Sequence, residues 1–122
     1  MGIRLSSGSR RPQSPKGLPL HLLNRFWFVT RADGIGQSPL VKASGFFYLK
    51  LPAGHVQEWH PAPRRQYVIG VSGRGEIELA DGKKIPLEPG SVILAEDLTG
   101  KGHLSRCLGP QDCIVAEVPL AE

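Results

Sequence analysis

Apolar and polar positions in this chain change places over short stretches, with turn-forming residues between them. Phe26 to Val29, Phe46 to Leu51, Gln66 to Ser72, Ser91 to Ala95 and Cys113 to Val118 are rich in β-branched and aromatic residues, the composition that fits a pleated, half-buried surface. Glu76 to Leu79 alternates polar with apolar, Lys84 to Leu87 returns from it, and His103 to Leu108 leads into the last hairpin. Each of these segments predicts a short strand. Asp33-Gly34, Gly73 to Gly75, Asp81-Gly82 and Pro89-Gly90 predict the turns between them. Val56 to His60 reads as a short extended piece. Pro61 and Pro63 then forbid ladder hydrogen bonds and force an edge passage or turn. No window keeps the i, i+3, i+4, i+7 apolar spacing long enough for a substantial helix. The expectation is an all-β sandwich or barrel.

With 122 residues there is chain enough for one core but not two. The 15 glycines and 11 prolines are spread as punctuation between strands. Residues 1–24 form a Ser/Pro/Gly-rich leader, read as flexible, and residues 25–122 the β-barrel domain. The formal charge of +4 would suggest a nucleic-acid partner if it lay on the domain, but Arg4, Arg10, Arg11 and Lys16 put much of it in the leader. From Phe26 onward the charges nearly balance, and no RNP, helix-turn-helix or zinc-finger spacing appears. No nucleic acid is expected. No apolar run approaches a membrane span and no signal-peptide hydrophobic segment is present, so no membrane partner and a cytoplasmic location are expected. Cys107 and Cys113 flank a turn that could bring them together. In a chain with these features they read as reduced thiols rather than a disulfide.

The candidate chemistry lies between Gly54 and His103. Glu58 and His60 stand at i, i+2, which on a regular strand points both to one face. Gln66 follows the prolines, and His103 lies behind a glycine-rich loop. A carboxylate, a carboxamide and two imidazoles are therefore expected to converge inside the barrel. Alternation puts Val68, Gly70, Ile77 and Leu79 on the cavity wall, with Ser105 and Cys107 on the same face as His103. It turns Trp59, Tyr67 and Arg106 outward, and His55 reads as a surface residue. Arg64 and Arg65 have two readings. Either could bind an anionic substrate group, or either could pair on the exterior with Glu96 or Asp97.

These residues resemble the two motifs of the cupin superfamily. Gly54 opens the first, Glu58-Trp59-His60 stands where its His-x-His pair would, Gln66 stands where its Glu would, and Gly73 follows seven residues later. Pro89-Gly90-Ser91, the run Val92 to Ala95, and then Gly100 and His103 resemble the second. The likeness covers residues 45–118 and implies a cupin-type jelly-roll β-barrel. More narrowly, the segment from Trp59 to Ile69 followed by Glu96 to His103 looks like a group of small single-domain cupins. Two departures, Glu58 for His and Gln66 for Glu, alter the donor set the motifs usually supply.

The resemblance implies that Glu58, His60, Gln66 and His103 point into the barrel mouth. Such a set would hold a divalent cation (Zn, Fe, Mn or Ni) with open positions for substrate. Glu58, His60 and His103 are the candidate catalytic groups, and Gln66, Arg64, Arg65 and Val68 the candidate substrate contacts. The expected activity is isomerisation, cyclisation, decarboxylation or oxidation of a small carbonyl-containing molecule. The alternatives are a metal-free acid/base site and a ligand-binding module without turnover. Cupin-like barrels are often dimers, and the segments around Phe26 and Phe46 offer an edge for pairing, so a homodimer is expected.

Overall fold

The computed structural model of the chain describes residues 21–22 and 29–122. Among them there are eleven strands and no helix: β1 (His21–Leu22), β2 (Val29–Thr30), β3 (Gly36–Gln37), β4 (Phe47–Leu51), β5 (Val56–His60), β6 (Gln66–Ser72), β7 (Gly75–Leu79), β8 (Lys84–Leu87), β9 (Val92–Ala95), β10 (His103–Cys107) and β11 (Cys113–Pro119). From Phe46 on, the strands fall within a residue or so of those expected. The expected strand from Phe26 to Val29 lies mostly outside the described residues; Val29 itself opens β2, which pairs with β3. The domain boundary after residue 24 also falls outside them. His21 and Leu22, on the leader side of that boundary, pair with β9.

Two antiparallel sheets carry the fold, in the orders β1-β9-β6-β11-β4 and β5-β10-β7-β8. From β4 to β11 the chain crosses repeatedly between the sheets, so that β9-β6-β11-β4 faces β5-β10-β7-β8. That is the double-sheet jelly roll, the arrangement used by cupins. The expected all-β, cupin-type barrel is therefore the fold observed. No helix is long and apolar enough to cross a membrane.

Local chemistry explains the turns. In the β7–β8 hairpin the Asp81 carboxylate accepts from the Lys83 amide at 2.9 Å. Gly82 takes the left-handed conformation (φ 91°) that a side chain would disfavour. Alternation then fills the space between the sheets. Ile77 and Leu79 of β7 and Ile85 and Leu87 of β8 pack with Ile93, Ala95 and Val115 in one cluster, joined by Ala62. Each fully buried aliphatic side chain of this kind stabilises the fold by about 1.5–3 kcal/mol. A second cluster, Leu51 with Cys107 and Cys113, closes one end of the barrel. Both cysteines are free thiols and buried.

Candidate functional site

β5 ends at His60 and β10 begins at His103, and the two residues lie directly across the ladder from each other. The approach depends on Gly102. A Cβ there would stand 2.0 Å from the His60 carbonyl oxygen, and its φ is 74°. Only glycine lets the backbone entering β10 pass so close to the end of β5. As a result the two imidazoles stand with ring centroids 4.7 Å apart, tilted by 56°.

Each ring is oriented through Nδ1. The nearly inaccessible Asp97 carboxylate (1 % exposed) accepts from His103 Nδ1 through Oδ2 at 2.5 Å. The Glu58 backbone carbonyl accepts from His60 Nδ1 at 2.5 Å. Both acceptors require the proton on Nδ1, so in each neutral ring Nε2 keeps its lone pair for a ligand. Asp97 is held by its own backbone, whose carbonyl accepts from the Ala62 amide at 2.9 Å. Its Oδ1 is buried with no hydrogen-bond partner among the described residues, which costs stability and is accepted at this one position.

The facing sheet contributes Gln66 from β6 and Glu117 from β11. Arg64 donates to Gln66 Oε1 at 2.7 Å, and Gln66 Nε2 donates to Glu117 Oε1 at 3.1 Å. The amide is thereby locked between a cation and a carboxyl. Burial pushes the Glu117 carboxyl above its ordinary range, opposed by the Gln66 hydrogen bond and by the positive charge of Arg64. His60, His103, Gln66, Arg64 and Glu117 all line one cavity of about 330 Å³ between the sheets. Val68, Ile77 and Ser105 line it as alternation predicts, whereas Gly70 and Leu79 do not.

Glu58 is the main correction. From His103 to Ser105 β10 advances two residues, while opposite it β5 runs from His60 to Gln57. The extra residue is a β-bulge, which reverses the side-chain alternation of β5 below His60. Gln57 therefore lines the cavity, and Glu58 is exposed and contributes only its backbone carbonyl. The two neighbouring arginines also divide. Arg64 lines the cavity, but Arg65 pairs outside it with Glu96 and Glu122, as the exterior reading held. Arg106 faces away from the cavity, bonded to Glu76 at 2.8 Å and Glu78 at 2.7 Å. Trp59 lies under Lys101 Nζ at 4.0 Å, and His55 is exposed.

The expected four-donor metal set does not assemble. Glu58 points out, and the Gln66 oxygen already accepts from a guanidinium, a poor neighbour for a second cation. Two imidazoles remain, fewer than the three protein ligands of an open catalytic zinc site. Among the described residues no three His, Cys, Asp or Glu side chains form a cluster suited to a metal ion.

Sequence reasoning missed Asp97 and Glu117 as cavity chemistry. Glu117 had a legible signal, since it stands two residues beyond the inward Val115 as an acid in an otherwise apolar strand. Asp97 had none, because it meets His103 through a loop.

No family model and no curated protein matches the chain. Among solved structures it is similar to the cupin_2 domain of an XRE-family transcriptional regulator from Enterobacter cloacae, at 23 % identity over 63 % of this chain and 81 % of that one, with a TM-score of 0.46. A protein from Neisseria meningitidis aligns at 16 % identity over 81 % of this chain and 88 % of its own, with a TM-score of 0.49. A cupin-2 domain containing protein from Shewanella frigidimarina aligns at 20 % identity over 81 % and 85 %, with a TM-score of 0.49. At such identities and TM-scores the fold assignment rests on this chain's own strand order.

Proposed function

We propose that this jelly roll is a small-molecule enzyme of cupin type that moves protons on a carbonyl-containing substrate without a metal ion. The observation that carries the reading is the buried Asp97–His103 pair, with its Nδ1 contact of 2.5 Å on a residue that lines the cavity. A carboxylate behind Nδ1 selects the tautomer whose Nε2 is basic and stabilises the imidazolium formed when that nitrogen takes a proton. In the proposed step His103 Nε2 removes a proton from the carbon next to the substrate carbonyl. The electron pair moves onto the carbonyl oxygen as an enolate. Glu117, whose carboxyl burial pushes above its ordinary range, when protonated hydrogen-bonds that oxygen and keeps its proton. Return of that proton by the His103 imidazolium, to the other face of the same carbon or, where a C=C bond is conjugated with the enolate, to its far carbon, completes an isomerisation with no net gain or loss of atoms or electrons.

Deuterium exchange tests this directly. Small ketones and 2-oxo acids are incubated with the protein in D2O, and loss of the C–H signal beside the carbonyl is followed by NMR. The wild type is expected to accelerate exchange. His103→Gln and Asp97→Asn should each lower the acceleration by about 10²-fold or more, and Arg65→Gln should leave it unchanged. Equal exchange by His103→Gln and wild type sinks the acid/base reading. Tight binding with no exchange across the panel leaves a ligand-binding module. Loss of exchange after chelation, with recovery on adding Zn, Fe, Mn or Ni, restores a metal-centred reaction.

A further inference from the structure

We infer that the cavity takes an aliphatic molecule ending in a single carboxylate, with the head at Arg64 and the chain lying between the two sheets. This builds on the proton-transfer reading by naming the class of molecule that enters the same cavity.

The inference starts from the arginines. Arg31, Arg65 and Arg106 each grip an acidic side chain. Arg64 lines the cavity, yet among the described residues its hydrogen bond goes to the neutral amide of Gln66, and it forms no ion pair there. A guanidinium presents five N–H donors in a fork matched to a carboxylate, and the amide uses one of them. Among the described residues that line the cavity, Arg64 is the only Lys or Arg, and the Glu117 carboxyl lies one hydrogen bond beyond Gln66. A single negative charge therefore suits the mouth better than a phosphate dianion.

Strand register then orders the wall beneath this head group. At one end His60 faces His103, and Glu117 stands between Val68 and Phe47. The next level down pairs Val115 with Leu49, and the one below brings in Leu51 opposite Cys113. Ile77 faces Ser105 on the other sheet. With Leu87 and Ile93 these residues make the interior apolar, and Ser105 and Gln57 are its remaining polar side chains. A cavity with an exposed cation at its rim and aliphatic side chains below recognises an amphiphile rather than a sugar or nucleotide.

Calorimetric titration of straight-chain carboxylates from butanoate to decanoate, alongside the matching primary amides, tests this. These probes lack a ketone, so binding is read whether or not protons move. The wild type should bind each added methylene about fourfold more tightly until the cavity is full, and should prefer carboxylate to amide by about tenfold. Arg64→Gln should abolish the head-group preference and keep the chain-length slope, while Arg65→Gln keeps both. Absence of the slope, or a carboxylate preference that survives Arg64→Gln, overturns the inference. If oxo compounds exchange deuterium but the chain-length slope is missing, this inference fails and the acid/base reading stands. If the slope is present without exchange, the reverse holds.

Discussion

The two ends of the barrel are made by the same strands, and they treat their reactive side chains in opposite ways. β10 starts at His103 and ends at Cys107, and β11 starts at Cys113 and passes Glu117 before it ends. At the histidine end the rings and the amide have fixed partners: Asp97 for His103, the Glu58 carbonyl for His60, and Arg64 and Glu117 for Gln66. At the cysteine end, Cys113 is buried among Leu51 and Cys107. Burial, then the neighbouring Cys107 thiol, push the Cys113 thiol up to about 12. Burial that outweighs the hydrogen bonds to the charged form silences a nucleophile, whereas burial with an acceptor behind it leaves a usable lone pair in front.

The largest expected effect comes from breaking the geometry of the polar end. In Gly102→Ala the new Cβ would fall 2.0 Å from the His60 carbonyl oxygen at a φ of 74°. We expect a loss of about 3 kcal/mol in urea unfolding and loss of deuterium exchange, because the His60–His103 approach depends on that contact. An unchanged unfolding midpoint would show that β5 and β10 do not need glycine there.

Cys113→Ser sharpens the contrast from the other end. A hydroxyl replacing a thiol in this apolar cluster should cost about 1–2 kcal/mol and leave exchange and carboxylate binding as in the wild type. In the native wild type, alkylation of Cys113 near pH 8 should be slower than in the unfolded chain by orders of magnitude. Rapid alkylation under native conditions would refute the contrast.

The smallest effect concerns Glu117. A carboxyl whose folded pKa is raised contributes stability that is complete below its unfolded pKa and is lost as pH rises through the folded value. Glu117→Gln removes this dependence and keeps an acceptor for Gln66. Relative to this variant, the melting temperature of the wild type should therefore fall by a few degrees as pH rises from the ordinary carboxylate range through the elevated one. A difference independent of pH would place Glu117 in solvent.

Most of the scaffold was legible because its signals are local. Asp81-Gly82 makes its hairpin with a nearby side chain and a positive φ. Alternation in Gly75–Leu79 and Lys84–Leu87 puts Ile77, Leu79, Ile85 and Leu87 inside. The same rule carried Val68 and Ser105 correctly to the cavity and Arg106 away from it. It failed at Glu58, because a bulge is a property of two strands pairing and not of either one alone. Arg64 and Arg65 are adjacent in sequence, and only the position of Glu96 and Glu122 beside Arg65 separates their roles.

By itself the sequence determined the β-strands, their turns and the inward faces of most of them, since side-chain period and turn stereochemistry act over a few residues. It also brought His60, Gln66 and His103 to one cavity, through strand alternation and the motif resemblance. Tertiary structure decided which carboxylates serve that cavity, replacing Glu58 with Asp97 and Glu117. Those choices depend on a one-residue shift between β5 and β10 and on a loop folding back to meet an imidazole. Both are set by packing between segments distant in the chain.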